Sequence, residues 1–410
     1  MTSFSTSGFG LQNLPVGVYS LKSGSPKSVT FALGDCVVDL VALEKAGLFG
    51  IDLKNSLNQD TANQYIALGK SIHHQVRASI RQLFEDTCHP LRDLVTQVLI
   101  PIASVDLHLP IAIGDYTDFY SSEDHATNVG KMFRDPANAL LPNWKHLPVG
   151  YHGRSSSIVV SGTPIRRPWG QMFPKGAECP VFGPSKRMDF ELEMAFVIGK
   201  DSTLGQPIST QEAEDYIFGL MLFNDWSARD IQQWEYVPLG PFLGKNFGSS
   251  VSPWIVPLEA LQNCRVSGKP QDPPVFPYLM ETTKNHLDIE LEVEITTQSG
   301  EKALLSKSNT KHLYWSMHQQ LAHHTINGCN VRVGDLMASG TISGPTPDSF
   351  GSLLELSWGG QNPIQISTDT LRTFLEDGDT ITMRATAYTP EGKIEFGEVK
   401  STLLPALESL

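Results

Sequence analysis

Apolar residues occur in short runs along most of the chain, and turn-forming residues separate these runs. Residues 29–33 and 36–40 are such runs near the amino terminus. Toward the carboxyl end, polar and apolar residues alternate around turn signals at Asp377-Gly378 and Glu391-Gly392. Short runs and strict alternation bounded by turn residues are typical of β-strands. The pattern therefore predicts a mainly β protein of the α+β class.

Two segments have helical features instead. The first spans residues 72–84, where the adjacent His73 and His74 point in different directions and are predicted to be a surface pair rather than a metal site. The second spans residues 210–217, where Ser209 and Glu212 match a capping box and Gly219 follows the end. One face of the first helix is apolar at helical spacing, through Ile72, Val76, Ile80, Leu83 and Phe84.

The texture of the chain changes near Gly114. Residues 1–113 contain no chemical motif, and residues 98–113, which Pro101 and Pro110 interrupt, resemble a linker. After Gly114, polar residue types that are useful in catalysis occur in clusters. We expect two domains, a small β-barrel with an attached helix at residues 1–113 and a chemistry-bearing domain at residues 114–410.

Composition and charge restrict the class of protein. The 410 residues are 40% hydrophobic and 18% charged, as in a globular protein, and the formal net charge of −13 argues against nucleic acid or an anionic membrane as partner. The chain has neither a signal-peptide pattern nor a run of ~20 apolar residues that would span a membrane. The cysteines lack CxxC spacing, which predicts reduced thiols in a cytosolic protein. They are Cys36, Cys88, Cys179, Cys264 and Cys329.

One predicted strand carries acids that burial would make costly. In residues 189–198, alternation places Asp189, Glu191 and Glu193 on one face, while the strand becomes apolar on both faces at its far end. A buried ionised carboxylate needs a partner. Residues 288–294 alternate in the same way without that apolar end, so this second strand is predicted to have a solvated face.

Two further acids, Asp118 and Asp225, lie among aromatic residues near the ends of apolar runs. Together with Glu191 and Glu193 they offer four oxygen ligands from three segments, a set that suits Mg²⁺ or Ca²⁺. The alternative is that these acids cap turns or form ion pairs with basic residues. The candidate basic partners are Arg229 and Arg134.

Six sequence motifs occur in order along the chain: DYTDFY at 115–120, HATNVG at 125–130, FELEMAF at 190–196, NDWSARDIQ at 224–232, PLGPFLGKNFG at 238–248 and ASGTISGP at 338–345. Together they resemble the fumarylacetoacetase family. The resemblance covers essentially the full chain, including an amino-terminal domain that short members of the superfamily lack. It implies an SH3-like amino-terminal barrel, a catalytic domain built from a rolled mixed β-sandwich, and a homodimer.

The resemblance also implies a reaction and a metal. The reaction is hydrolysis of a carbon–carbon bond in fumarylacetoacetate, a dicarboxylic β-diketone, to fumarate and acetoacetate, the last step of tyrosine and phenylalanine catabolism. The metal, Mg²⁺ or Ca²⁺, would be held by the four acids above. A second metal-related site would involve Lys245, through its carbonyl, and Ser249, where the family pattern predicts threonine.

The remaining site residues follow from the same resemblance. His125 matches the general base, and Glu355, a single acid in an apolar run, is predicted to be buried and to orient it; the alternative for Glu355 is an ion pair elsewhere. The oxyanion would be stabilised by Arg229, Gln232 and Lys245, with Gly244 and Gly248 allowing close backbone approach. The substrate-binding positions would be Tyr120, Arg134, Gln232, Tyr236 and Thr341.

Three other functions remain as alternatives. Decarboxylases, hydratases and isomerases of the same superfamily use a similar three-acid site, but the amino-terminal domain together with Gln232, Tyr236 and Lys245 favours the hydrolase. A calcium-dependent β-sandwich that only binds an acidic ligand would not need His125 paired with Glu355. A serine hydrolase is disfavoured because the sequence contains no G-x-S-x-G elbow, which leaves Ser339 as its only tempting nucleophile.

Overall fold

The computed structural model describes residues 8–408, and its amino-terminal part is a five-stranded antiparallel sheet with short helices beside it. The strand order is β4-β3-β2-β1-β5. The strands are β1 (Val16–Leu21), β2 (Ser28–Leu33), β3 (Cys36–Asp39), β4 (Leu99–Pro101) and β5 (Val105–Leu107). The helices are α1 (Leu40–Lys45), α2 (Asn63–Ile66), α3 (Lys70–Glu85) and α4 (Val95–Val98).

The remaining residues form a larger, mainly β part. Its strands are β6 (Tyr116–Phe119), β7 (Gly150–His152), β8 (Ile158–Val160), β9 (Ile165–Arg166), β10 (Trp169–Met172), β11 (Val181–Pro184), β12 (Met188–Asp189), β13 (Leu192–Ile198), β14 (Ile217–Asp225), β15 (Ser227–Ala228), β16 (Ser249–Val251), β17 (Val256–Pro257), β18 (Arg265–Val266), β19 (His286–Leu287), β20 (Ile289–Thr296), β21 (Lys302–Asn309), β22 (Leu336–Ala338), β23 (Ile364–Gln365), β24 (Leu371–Arg372), β25 (Thr380–Thr389) and β26 (Gly392–Leu404).

Five short α-helices lie between the strands of the larger part, and short 3-10 helices occur in both parts of the described chain. The α-helices are α5 (Glu123–Phe133), α6 (Ala213–Tyr216), α7 (Arg229–Glu235), α8 (Met317–Thr325) and α9 (Leu353–Leu356). Short 3-10 helices span Arg92–Leu94, Ile102–Ser104, Pro136–Asn138, Ser155–Ser157, Leu258–Cys264, Pro277–Leu279, Thr310–His312 and Pro347–Ser349. The predicted mainly β class is confirmed.

Two sheets organise the larger part. An eight-stranded sheet has the order β7-β6-β22-β13-β14-β16-β8, with β17 paired to β14, and a five-stranded sheet has the order β21-β20-β25-β26-β9. The first sheet is mixed, because β22 runs parallel to β6 and β16 runs parallel to β8, whereas β13 pairs antiparallel with β14. Two-stranded ladders join β10 to β11, β12 to β15, β18 to β19, and β23 to β24.

Strand β13 lies between two apolar layers. Met194 and Phe196 belong to the hydrophobic cluster that includes the five-stranded sheet, whereas Ala195 and Val197 belong to a cluster shared with the amino-terminal part. Every residue of the strand is buried. The predicted strand buried on both faces is confirmed, while the division at residues 113 and 114 stays a prediction.

The solvated face predicted for residues 288–294 is also confirmed. Along β20, Ile289 and Leu291 are fully buried, whereas Glu290 is exposed and Glu292 is partly exposed. The turn signal at Glu391-Gly392 lies where predicted, since it joins the antiparallel strands β25 and β26.

Residues 98–113 are not a simple linker. They contribute β4 and β5 to the amino-terminal sheet, and β5 pairs with β1 so that Leu107 lies opposite Tyr19. The two prolines were misleading because neither interrupts a ladder. Pro101 ends the edge strand β4, where its missing N–H is tolerated, and Pro110 lies beyond β5.

The first predicted helix is confirmed as α3, but the prediction for His73 is wrong. His73 is only 6% exposed, and its Nε2 lies 2.9 Å from the carbonyl oxygen of Tyr65, whereas the neighbouring His74 is exposed and pairs with Glu259. The partner element α2, which supplies Tyr65, could not be inferred from the spacing of α3 alone.

The second predicted helix is much shorter than expected. The capping contacts between Ser209 and Glu212 are present, with the Ser209 hydroxyl 2.7 Å from a Glu212 carboxylate oxygen, but α6 has only four residues. The chain enters β14 at Ile217, so Gly219 lies inside a strand and does not end a helix. The nine residues of β14 are all buried, and this burial outweighs the local helical signal.

No helix among residues 8–408 is both long enough and apolar enough to cross a lipid bilayer. All five cysteines are free thiols.

A buried histidine lies on α8, away from the predicted site residues. His318 is 2% exposed, and neither ring nitrogen has a hydrogen-bond partner among residues 8–408. Burial, with a smaller contribution from Arg265, lowers the pKa of His318 to about 4. The neutral ring is therefore the form that the folded protein holds.

The depressed pKa of His318 predicts a loss of stability in acid. Between pH 6.5 and 4 the unfolded chain binds a proton at this position that the folded protein does not, so stability falls as pH falls through that range. The full effect is about 3 kcal/mol for a pKa moved from about 6.5 to about 4. His318→Met should flatten the decrease in the free energy of unfolding between pH 7 and 4.5, measured by urea titration.

The exposed His146 provides the control for this prediction. His146→Met should leave the pH dependence as in the wild type. An unchanged acid slope in His318→Met would show that other groups cause the loss.

Candidate active site

Four buried carboxylates converge where strands of the eight-stranded sheet end. Asp118 lies in β6, Glu193 in β13 and Asp225 at the end of β14, while Glu191 lies between β12 and β13. Each is at most 5% exposed, and one oxygen from each lies within 4.8 Å of the others. The predicted convergence of these acids is therefore confirmed.

Strand register explains the convergence. Asp118 lies opposite Ala338 of the parallel strand β22, and β22 is the neighbour of β13, which carries Glu193. On the other side of β13, Asp225 of β14 lies opposite Ser249 of β16. Consecutive strands of one sheet thus bring acids from distant parts of the sequence to the same place.

Two of the four carboxylates are compensated by basic side chains. The Lys245 ammonium group donates to Glu191 and, at 2.7 Å, to Asp225 Oδ2. Arg229 Nη1 donates to Glu191 Oε1 at 2.7 Å, and the Ser249 hydroxyl donates to Asp225 Oδ1 at 2.7 Å. Glu191 therefore forms the ion pair with Arg229 that the sequence offered as an alternative to metal binding.

These contacts decide the charge states. Burial by itself would raise the pKa of Glu191, but Lys245 and Arg229 outweigh it and hold this pKa below its usual value. Burial would likewise lower the pKa of Lys245, and Asp225 and Glu191 raise it instead. Glu191 is ionised and Lys245 is protonated at neutral pH.

The other two carboxylates have oxygens without a partner. Asp118 Oδ1 and Glu193 Oε1 are buried and accept no hydrogen bond within residues 8–408, while Glu193 Oε2 accepts from the Gly340 backbone N–H at 3.0 Å. Burial, reinforced by neighbouring carboxylates that include Asp225 for Asp118 and Asp118 for Glu193, raises both pKa values well above their usual range. Buried oxygens without donors fit a hard divalent cation such as Mg²⁺ or Ca²⁺.

Gly340 is required at this position. Its φ of +76° is a conformation that other residues rarely adopt. A Cβ atom there would lie 2.2 Å from the carbonyl oxygen of Phe119, next to the Asp118 strand. The glycine therefore allows its N–H to reach Glu193.

The second predicted metal-related pair, Lys245 and Ser249, contacts the acids directly. Both side chains donate to Asp225, so each helps to fix one of the four carboxylates. Their role in a second metal site stays a prediction. Gly244 allows the approach predicted for it, because a Cβ there would lie 2.7 Å from the Gln232 backbone.

A histidine–carboxylate pair lies within electrostatic range of Glu191, one of the four acids. His125 Nδ1 is 2.6 Å from Glu355 Oε2, although 230 residues separate them in sequence. Both side chains are buried, His125 near the start of α5 and Glu355 in α9. The predicted burial of Glu355 is confirmed, and its partner is His125.

Glu355 is held as an ionised acceptor. Its Oε2 also accepts from the hydroxyls of Ser343 at 2.7 Å and Ser352 at 3.0 Å, and its Oε1 accepts from Asn128 at 2.9 Å. Burial raises the pKa of Glu355, but His125 and these donors outweigh it and lower the pKa below its usual value. Since the carboxylate can only accept, His125 Nδ1 donates to it, and in the neutral ring this tautomer leaves the lone pair on Nε2.

Arg229 has one unused donor. Its Nε donates to Asp189 Oδ2 at 2.8 Å, and its Nη1 donates to Glu191 and, at 3.3 Å, to Gln232 Oε1. Nη2 is buried and has no hydrogen-bond partner among the described residues. The two N–H bonds of this nitrogen can stabilise a developing negative charge.

The predicted substrate-binding residues differ in their surroundings. The Tyr120 ring lies edge-on to the His125 ring, with centroids 5.3 Å apart. Thr341 is 2% exposed, and its hydroxyl has no partner in the described part of the chain. Arg134 donates from Nε and Nη2 to the carbonyl of Ala139, at 3.2 and 2.6 Å, and Tyr236 is 49% exposed at the end of α7.

Several contacting residues were not singled out from the sequence. Tyr151 donates to Asp225 at 3.4 Å, and Asn128 and Ser343 contact Glu355. The spacing of Asn128, three residues after His125 on a helix, is a signal that would have placed both side chains on one face. Asp189 was identified as a strand acid, but its contact with Arg229 was not foreseen.

The serine-hydrolase alternative has no support in the geometry. Ser339 is 5% exposed, and its hydroxyl donates to the adjacent Gly340 carbonyl at 2.7 Å. A nucleophilic serine needs a base at hydrogen-bond distance. Among residues 8–408, no hydrogen bond joins the Ser339 hydroxyl to a histidine ring, and His125 is paired with Glu355.

Comparisons with known proteins agree with these features. Residues 12–110 match the family model "Fumarylacetoacetase N-terminal", and residues 115–403 match "Fumarylacetoacetate (FAA) hydrolase C-terminal". The chain is 49% identical over 407 residues to the fumarylacetoacetase of Rattus norvegicus and 48% identical over 409 residues to that of Arabidopsis thaliana; each comparison covers 98% of this chain and 97% of the relative.

A solved structure shares the fold. It is a fumarylacetoacetate hydrolase from the psychrophilic Exiguobacterium antarcticum, with a TM-score of 0.55 and 17% sequence identity. The superposition covers 96% of this chain and 99% of that chain.

Because Glu193 has a carboxylate oxygen without a hydrogen-bond partner among the described residues, its substitution should increase the stability of the metal-free protein and weaken metal binding. Glu193→Gln replaces a carboxyl group whose ionisation is opposed by burial and by its neighbouring acids, so the metal-free protein should melt at a higher temperature than the wild type. Addition of Mg²⁺ or Ca²⁺ should raise the melting temperature of the wild type but not that of the variant. At a metal concentration a hundredfold above Kd, binding adds about 2.7 kcal/mol to the free energy of unfolding. Scanning fluorimetry with chelator and with each metal measures both effects.

Glu292→Gln on the partly exposed face of β20 is the matched control, and it should keep the metal-induced shift. A wild-type protein whose melting temperature is the same with chelator and with Mg²⁺, Ca²⁺ or Mn²⁺ would contradict the metal site.

Proposed function

This chain belongs to the fumarylacetoacetase family, and we propose from this premise that it hydrolyses fumarylacetoacetate to fumarate and acetoacetate, the last step of tyrosine and phenylalanine catabolism. The observation that carries the proposal is the His125–Glu355 pair, 2.6 Å apart, beside four buried carboxylates. A base with an orienting carboxylate and a site for a divalent cation are what hydrolysis of a β-diketone needs.

The metal would be held by Asp118, Glu191, Glu193 and Asp225. When bound, Mg²⁺ or Ca²⁺ supplies a positive charge that orients the two diketone oxygens and stabilises the enolate product. The partnerless oxygens of Asp118 and Glu193 support this assignment.

His125 performs the proton transfers in this proposal. Its Nε2 takes a proton from water while the water oxygen bonds to the carbonyl carbon of the fumaryl group. Glu355 keeps the ring in the tautomer that leaves Nε2 unprotonated and stabilises the positive charge that the ring gains. Such general base catalysis contributes roughly 10² to 10⁴ in rate.

Arg229 and Lys245 stabilise the oxyanion that this attack creates. Arg229 Nη2 is the buried N–H group without another partner, and Lys245 retains one of its three N–H donors after contacting Glu191 and Asp225. When the oxyanion collapses, the carbon–carbon bond breaks and its electron pair forms the enolate of acetoacetate. The proton on His125 then returns to the enolate carbon.

The two acid ends of the substrate need separate donors. Thr341 offers a buried hydroxyl without a partner, and Tyr120 lies against His125. Arg134 has Nη1 available, since the Ala139 carbonyl occupies its other nitrogens. Gln232, which contacts Arg229, and Tyr236 at the end of the same helix complete the proposed substrate site.

We also assign this enzyme to the cytosol and to a homodimer. The five free cysteines are consistent with a reducing compartment. The loop after α7 exposes Leu239 by 95%, Val237 by 65% and Phe242 by 61%, and exposed apolar residues close together mark contact surfaces. A second copy of the chain is the occupant that the family resemblance favours.

The main test is turnover of fumarylacetoacetate, followed by loss of the ultraviolet absorbance of its conjugated diketone. The wild type should form fumarate and acetoacetate, and a chelator should stop the reaction. His125→Ala should lower kcat by roughly 10² to 10⁴ while metal binding is kept, because only the base is lost. His146→Ala, at an exposed histidine, should match the wild type.

In labelled water, one ¹⁸O atom should enter the new carboxylate of fumarate. Absence of turnover together with decarboxylation of oxaloacetate would assign the chain to another activity of the superfamily.

The dimer predicts a change in mass when the exposed loop is made polar. The double variant Leu239→Asp with Phe242→Asp should convert a species of twice the 45.1 kDa chain mass into the single chain, measured by light scattering after size-exclusion chromatography. Leu204→Asp is the control, since Leu204 is 74% exposed on a different loop. A wild type that already has the mass of one chain would contradict the dimer.

A further inference from the structure

Asp189 is a buried acid that contacts both Arg229 and the start of α9, the helix that carries Glu355. It lies in β12 and is 0% exposed. Its oxygens accept four hydrogen bonds, all at 2.7–2.9 Å. The donors are the backbone N–H groups of Phe190, Leu353 and Leu354 and the Nε of Arg229.

On one side, Asp189 fixes the start of α9. The N–H groups of Leu353 and Leu354, at 2.7 and 2.9 Å from the carboxylate, belong to the first two residues of this helix and have no partner within it. Glu355 is the next residue. Its position, and with it the orientation of the His125 ring, therefore depends on where Asp189 holds the helix.

On the other side, Asp189 orients the guanidinium of Arg229. Asp189 accepts a hydrogen bond from Nε at 2.8 Å, and Glu191 accepts one from Nη1 at 2.7 Å. These two contacts define the plane of the guanidinium. Nη2 is then the remaining donor, and its direction follows from that plane. A guanidinium anchored at Nη1 alone would be free to rotate.

We propose that Asp189 is a positioning residue that sets the geometry between the Arg229 donor and the His125–Glu355 pair. The role rests on the proposed function, because it concerns where the base and the oxyanion donor lie relative to one substrate carbonyl. One rigid carboxylate does this for both groups, since the same Oδ2 accepts from Arg229 and from Leu354.

A second buried acid provides a matched control. Asp379 is also 0% exposed, accepts from Arg372 at Nε and Nη2 at 2.8 and 3.0 Å, and accepts from the Glu376 backbone N–H at 2.8 Å. None of its hydrogen bonds involves a residue of the proposed active site. Loss of its charge should cost stability without changing catalytic geometry.

The test compares Asp189→Asn with Asp379→Asn. Both variants should melt at lower temperature, but only Asp189→Asn should lower kcat, by at least tenfold, with KM changed less than threefold. Asp189→Asn combined with Glu355→Gln should lower kcat by less than the product of the two single effects, because both act through the His125 ring.

A second readout is independent of turnover. The Nδ1 proton of His125 lies in a 2.6 Å hydrogen bond to a carboxylate and should give a far-downfield proton resonance. That resonance should shift or disappear in Asp189→Asn and persist in Asp379→Asn. If the wild type does not hydrolyse fumarylacetoacetate, the proposed function fails, and the resonance still decides whether Asp189 positions His125.

Equal kcat in the two Asn variants, independent effects in the double variant, or an unchanged resonance would each overturn the proposal. If Asp189→Asn does not fold, Asp189→Glu is the second variant. It keeps a negative carboxylate facing the Arg229 guanidinium and displaces the carboxylate oxygens by about 1.5 Å, one bond length. It should then show the same loss of kcat and the same change in the resonance.

Discussion

The crowding of four buried carboxylates within 4.8 Å is the constraint on which the catalytic part of the molecule depends. Two negative charges at ~4 Å repel by about 1 to 4 kcal/mol in media between water and a protein surface. The fold compensates them unequally. Lys245 contacts Glu191 and Asp225, and Arg229 contacts Glu191, while Asp118 and Glu193 keep partnerless oxygens. The incomplete compensation leaves an arrangement that a divalent cation completes.

The eight-stranded sheet can carry this arrangement because apolar layers cover both of its faces. Beyond Glu193, the side chains of β13 enter the two layers alternately, with Met194 in one and Ala195 in the other. The layer that includes Ala195 also contains apolar residues of the amino-terminal sheet, such as Phe31. The amino-terminal part therefore excludes water from behind the acids, although it contributes none of the four.

Local patterns predicted the features that depend on one strand or one helix face. The alternation along β20 and β13 indicated which strand was solvated and which was buried, and the Gly and Pro turns indicated a mainly β fold. Features that depend on distant partners were not predictable in this way. The contact between His125 and Glu355 spans 230 residues, and only the family resemblance pointed to it. The short α6 arose because burial of β14 outweighed a correct capping signal.

The number of hydrogen-bond donors around each buried carboxylate indicates its role. The residue type and the alternation of polar and apolar residues in the sequence do not distinguish these roles. Glu355 and Asp189 each accept four hydrogen bonds, so their oxygens are occupied and they orient other groups. Asp118 and Glu193 are as deeply buried but have open oxygens, so only a cation or a proton can complete them. Sequence places all four in apolar surroundings, whereas the donors come from loops and helix termini whose positions only the fold determines.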